Sequence, residues 1–157
     1  MPESPLVVRR VDFADPHDTR DYLHLLDAYA RAPMGGGAAL SDTVLERLPR
    51  DLRRHPGAYC LMAEQDGEAV GFATCFLGYS TFLARPLLNI HDIAVLPEWR
   101  RLGAARHLIA GIETLARELD CCRITLEVRE DNAAARRLYQ ATGFEPAECN
   151  QFMQKPL

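Results

Sequence analysis

Two stretches of the 157-residue chain carry side chains suited to proton transfer and anion binding. The first reads His91-Asp92-Ile93-Ala94-Val95-Leu96-Pro97-Glu98-Trp99-Arg100-Arg101-Leu102-Gly103-Ala104-Ala105-Arg106. An imidazole and a carboxylate stand side by side in an apolar run, and two arginines precede a turn of small residues. The first N–H groups of any helix lack internal acceptors, and the aligned peptide dipoles put partial positive charge there. A helix opening at this turn therefore makes an anion site. Gly103 allows close approach and Ala104 and Ala105 add little bulk, so a pyrophosphate fits directly on the backbone. The second stretch, residues 132–144, places Asn132 seven residues before a phenol, Tyr139, with Gly143 following.

The elements that position these residues follow from periodicity. Residues 6–13 read as a strand, and 19–31 as a helix with Tyr22, Leu25, Leu26 and Tyr29 on one face. Residues 33–37, with three consecutive glycines, stop it. A helix over 42–54, capped by Ser41 or Asp42 and presenting Val44, Leu45, Leu48 and Leu52, contains Pro49, which predicts a kink or two short pieces. Strands over 58–64 and 69–79 are joined by Asp66-Gly67, a strong hairpin signal, with bends expected at Gly71 and Gly78. A strand over 87–96 leads into an amphipathic helix over 101–119, with Leu102, Ala105, Leu108, Ile109, Ile112, Leu115, Ala116 and Leu119 as its stripe. A strand at 123–128 precedes a short helix that Asn132 caps and Gly143 closes. Residues 144–148 and 151–155 read as two last strands. Strands with interposed helices over one core imply an α/β or α+β fold.

Composition narrows the class. With 48% apolar and 25% charged residues, the chain reads as one domain over residues 1–157 that needs neither disulfides nor metal to hold its core. No apolar run approaches the roughly 20 residues that span a bilayer, and residues 1–4 do not resemble a secretory signal, so a cytoplasmic location without membrane attachment is expected. Cys60, Cys75, Cys121, Cys122 and Cys149 lack metal-ligand spacing and read as buried thiols, so no metal is expected. A formal charge of −4 argues against nucleic acid as a partner.

Taken together, the two stretches resemble the GNAT superfamily of N-acetyltransferases, which move an acetyl group from acetyl-CoA to an amine. Residues 87–119 are similar to that family's cofactor-binding strand, pyrophosphate loop and helix, with Arg100-x-x-Gly103-x-Ala105 matching its diagnostic pattern, and residues 123–144 are similar to the strand and helix that follow. The resemblance runs from about Tyr59 to Glu148. It implies a mixed, mostly antiparallel twisted sheet of six to seven strands with about four helices. It also implies acetyl-CoA as cosubstrate and a possible homodimer. Ile93, Ala94 and Val95 would offer backbone groups to the pantetheine arm, as if to an added strand. Arg100, Arg101, Leu102, Gly103, Ala104 and Ala105 would hold the pyrophosphate, with the two arginine side chains either assisting or simply solvated. Asn132 would contact pantetheine, cap a helix, or do both. Tyr139 would face the thioester sulfur.

Reference pKa values constrain these roles. A phenol near 10 passing its proton to a thiolate near 8.5 goes uphill by roughly 2 kcal/mol, so hydrogen-bond donation, not full transfer, is the role that fits Tyr139. An alkylammonium near 10.4 costs roughly 4.6 kcal/mol to deprotonate at pH 7, which calls for a base or a basic optimum. His91 and Asp92 are the candidates, with Glu127 a third. Strand alternation predicts that only one of the first two reaches the site. Trp99 reads as a packing residue, and residues 34–37 as either a substrate gate or a flexible connection. The run Tyr79-Ser80-Thr81-Phe82 and the run Ile90 to Val95 look like the diamine and polyamine acetyltransferase branch, although His91 replaces an acidic residue typical there. The expected function is direct acetyl transfer to a primary amine of a small amine, polyamine or amino-acid-like acceptor. Acetylation of protein N-termini or lysines, and an idle acyl-CoA-binding sensor, are the alternatives.

Overall fold

The computed structural model describes residues 4–148 and 151–157. One five-stranded sheet in the order β1-β2-β3-β4-β5 is assembled from β1 (Val7–Arg10), β2 (Ala58–Gln65), β3 (Glu68–Ser80), β4 (Arg85–Val95) and β5 (Ile124–Leu126). The first three pairings are antiparallel and β4 with β5 is parallel, so the sheet is mixed. Helices α1 (Pro16–Arg31) and α2 (Asp42–Arg54) precede β2, α3 (Ala104–Glu118) connects β4 to β5, and α4 (Ala133–Ala141) follows. Among the described residues no helix is long and apolar enough to cross a membrane.

Each face of the sheet buries its own core. On one side Leu108, Ile112, Leu115 and Ala116 of α3 pack on Leu61, Ala63, Val70, Ala73, Cys75, Leu88 and Ile90. On the other, Tyr22 and Leu25 of α1 and Leu52 of α2 pack on Cys60, Met62 and Phe72. Trp99 packs at the margin of the α3 core, as a packing residue should.

Local signals explain most boundaries. Asp66 and Gly67 turn the β2–β3 hairpin with φ of 52° and 81°, the mirror-image turn that suits strand twist. Helix α1 starts at Pro16 and not near residue 19, because Asp15 caps it by accepting from the His17 N–H and Pro needs no donor in the first turn. Pro49 neither splits nor ends α2, which runs unbroken from its Ser41 cap to Arg54, so the missing N–H is absorbed within one helix. The last two expected strands are absent: residues 144–148 and 151–157 carry no strand, and β5 covers only three residues. Pro146 removes a ladder donor there, and Phe152 and Met153 are exposed. Cys60 and Cys75 are buried, Cys121 and Cys122 are half-buried, and Cys149 lies outside the described residues.

Candidate active site

The site grows from an irregularity in β4. Opposite Cys75 stands Ile90 and opposite Thr74 stands Asp92, so His91 is an extra residue with no partner on β3. Before this bulge Leu88 and Ile90 face the α3 core. After it Ile93 and Val95 do so, whereas Ala94 joins the α1 core. The phase shift overturns the alternation expected from sequence. His91 and Asp92 both serve the α1 and α2 side: the His91 ring meets Phe76 edge-on at 5.6 Å, and Asp92 lies by Thr74.

Asp92 is half-buried, and burial raises its carboxyl above the ordinary carboxylate range, opposed by the nearby His91 and the Thr74 hydroxyl. A raised carboxylate is a better match to an ammonium proton than an exposed one. The sequence reading did not single out its neighbours. Tyr29 of α1 is close enough for the Asp92 charge, together with burial, to raise its phenol, and Tyr139 in turn is raised to about 12 by burial and by Tyr29. Tyr29 is thus near enough to both candidate groups to act on each electrostatically, and its ring packs edge-on to Phe72 at 6.1 Å. Its signal in the sequence is a second tyrosine on the apolar stripe of α1, which helical periodicity alone assigns to the core. Tyr139 itself is half-buried, with its ring edge-on to Phe144 at 5.7 Å.

Beyond Ile90 the far edge of β4 is open. β4 pairs with β5 through Leu88, Asn89 and Ile90, so among the described residues Ile93, Ala94 and Val95 have β3 on one side and no strand on the other. An extended ligand arm can add along that edge. At its end, Arg101 and Gly103 take positive φ of 64° and 91°, and Gly103 caps α3. The first α-helical bond of α3 is from the His107 N–H to the Gly103 carbonyl at 3.0 Å, leaving the N–H groups of Ala104, Ala105 and Arg106 at the open helix start. These residues fit an anionic phosphate chain on backbone donors. Two expectations change here. The helix begins at Ala104 and not at 101, so Leu102 leaves the core stripe and is 62% exposed. Arg100 uses its Nε to donate to the Val95 carbonyl at 3.1 Å, tying the loop to the strand end.

Asn132 caps α4, its Oδ1 accepting from the Ala135 N–H at 3.2 Å. Glu127 lies past the end of β5 and is exposed. Residues 35–38 fold back onto the end of α1: Gly36 and Ala38 N–H groups bond the Ala30 carbonyl, and those of Gly35 and Gly37 bond the Ala32 carbonyl. A Cβ on Gly35 would stand 2.0 Å from the Tyr29 carbonyl oxygen, so only glycine lets this turn fold back onto α1.

Comparison with known proteins gives the family. The chain is 29% identical over 120 residues to an aminoglycoside N(6')-acetyltransferase type 1 of Stenotrophomonas maltophilia, covering 74% of this chain and 78% of that protein. It is 33% identical over 144 residues to a mycothiol acetyltransferase of Kocuria rhizophila, covering 90% of this chain and 47% of that one. Its fold matches AAC(6')-Iy in complex with the bisubstrate analogue CoA-S-monomethyl-acetylneamine, with a TM-score of 0.81 at 21% identity over 98% of this chain and all of that one. The model of the acetyltransferase (GNAT) family matches residues 22–144, which take in the bulged strand, the phosphate turn and Tyr139 alike, and the chain is a member of the GNAT family of N-acetyltransferases.

Proposed function

We propose that this chain transfers the acetyl group of acetyl-CoA to a primary amine of a small, cationic molecule by direct attack within a ternary complex. The observation that carries the reading is the bulge at His91, which turns Asp92 onto the α1 face beside the unpaired edge of β4. The two reactants then approach from the two sides of one strand segment, and holding them there supplies much of the acceleration. The backbone of Ile93, Ala94 and Val95 orients the pantetheine arm, and the amides from Arg101 to Arg106 bind the pyrophosphate. Asp92 takes the ammonium proton, directly or through water, with His91 beside it.

Tyr139 does not give up its proton. With its phenol at about 12, transfer to a thiolate near 8.5 is uphill by about 5 kcal/mol, so the hydroxyl stabilises charge on sulfur as a hydrogen-bond donor. The cationic, amine-bearing acceptor is supported by the aminoglycoside acetyltransferases among the relatives.

Thiol release from acetyl-CoA tests the reading, measured against sisomicin, a polyamine, an amino-acid amide and an N-terminal peptide from about pH 6 to 10. Turnover with at least one small amine is expected. Turnover on the peptide alone would make the chain a protein acetyltransferase, and stabilisation by CoA with no turnover on any amine would make it an acyl-CoA-binding module.

A further inference from the structure

Behind Asp92 lies a row of buried polar groups that the reaction as described does not use. Cys60 of β2, Thr74 of β3 and Asp92 of β4 are register partners in a line across three strands, and the Tyr22 hydroxyl of α1 meets the Thr74 Oγ1 at 2.6 Å. Tyr22 is 1% and Thr74 3% exposed. A valine has nearly the shape of threonine and suits a strand as well, whereas a buried hydroxyl is costly unless it is bonded.

We propose that Thr74 is a positioning residue for Asp92, its hydroxyl oriented by the Tyr22 phenol so that its one proton points to the carboxylate. Donor counting fixes the direction. A carboxylate only accepts, so the Thr74 proton goes to Asp92, and the Thr74 oxygen, left with its lone pairs, accepts from Tyr22. The bonds then run one way, from α1 through β3 to the reacting carboxylate.

The other groups around Asp92 leave this task to Thr74. Burial raises the phenols of Tyr22 and Tyr29, and raises the Cys60 and Cys75 thiols to about 11 and about 12, so none of the four carries charge near neutrality. Among the described residues, the charged side chain that acts on Asp92 is His91, on β4 itself, and it is exposed. In this arrangement, removing the Thr74 hydroxyl takes away the donor on the buried side of Asp92 while its desolvation remains.

The inference deepens the reading of Asp92 as the base, and its test is independent of turnover. The side-chain carboxyl signal of Asp92 is followed by NMR in protein labelled with 13C-aspartate and identified by its loss in Asp92→Asn. Thr74→Val is expected to raise the titration midpoint by about one pH unit. Thr74→Ser should restore the wild-type midpoint, and Thr74→Cys, a weak donor of similar size, should give a smaller upward shift that also serves if the valine variant does not fold. Unmoved midpoints in the valine and cysteine variants, or a serine variant that shifts as far as valine, would overturn the proposal. If instead the midpoints move as expected but Asp92→Asn turns over at the wild-type rate, the positioning stands and the assignment of Asp92 as base falls.

Discussion

Replacing Tyr139 by phenylalanine separates two roles that a tyrosine beside a leaving thiolate can play. As a proton donor it must ionise during turnover. As a hydrogen-bond donor it never does. Burial and the neighbouring Tyr29 raise its phenol to about 12, which takes the cost of full transfer from roughly 2 to about 5 kcal/mol. A donor bond to a charged acceptor contributes about 1.5–3 kcal/mol, so Tyr139→Phe should slow turnover roughly 10- to 150-fold. The thioester sulfur carries no charge before the reaction, and the acetyl-CoA dissociation constant should therefore stay within a few-fold. Because the phenol does not titrate below about 12, the loss should be the same factor at every pH from about 6 to 10. Thiol-release kinetics across that range, paired with calorimetric binding of CoA, read all three quantities. Wild-type turnover in the phenylalanine variant would remove Tyr139 from the mechanism. An alkaline limb present in the wild type and missing from the variant would refute the donor role, since it would mean that the phenol ionises within the working range.

Asp92→Asn should lower kcat/KM by about 10²–10³ at pH 7 with CoA binding unchanged, and the deficit should shrink toward pH 10 as free amine accumulates; a constant deficit in the pH profile would rule out a base. At Gly103→Val an added Cβ meets nothing closer than His107 at 3.7 Å, but valine cannot easily hold a φ of +91°. A tenfold loss in CoA affinity is expected. At a concentration that stabilises the wild type by about 2.7 kcal/mol, the variant should gain only about 1.4, as read by thermal melts. Asp18, 3% exposed, takes two bonds from Arg9 at 2.7 Å and one from the Asp12 N–H at 2.8 Å, and these hold its carboxyl below the usual range. Its contribution is complete above the unfolded value near pH 4 and is lost as pH falls through the lower folded value. Asp18→Asn should cost about 2 kcal/mol at pH 7, less than a fully buried pair because Arg9 is 39% exposed, and urea melts should show the gap to wild type closing toward pH 3.

What the sequence revealed and what it hid divide along the range of the interactions. Asp66-Gly67, Asn132 with Gly143, and the small residues from Gly103 to Ala105 are short-range devices. Each was legible because a turn or cap is settled by its own few residues. The bulge at His91 was not, since an extra residue is defined only by the register of the neighbouring strand, and alternation along β4 alone gave the opposite answer for the pair His91 and Asp92. Thr74 and Tyr22, 52 residues apart, meet only after β3 and α1 pack, so nothing local marks them. Tyr29 looks like core from its sequence alone, because a helical period reports which face is buried and not what lies at its end. The two strands expected after α4 carried apolar residues without a paired edge to receive them, and periodicity does not supply one.

The extra residue at His91 also sets a rule of arithmetic for the strand. From Leu88 to Val95 the side chains spell two alternating series, and one uncounted residue joins them out of phase. Were His91 instead to pair as an ordinary ladder residue, alternation would run unbroken from Leu88, and Asp92 would follow Leu88 and Ile90 to the face that Leu108 and Ile112 of α3 cover. Were His91 deleted, Asp92 would follow Ile90 directly and keep both its place opposite Thr74 and its face. What holds Asp92 on the α1 side is therefore that His91 stands outside the ladder, and a change of pairing there would alter the chemistry of the strand as much as a change of residue.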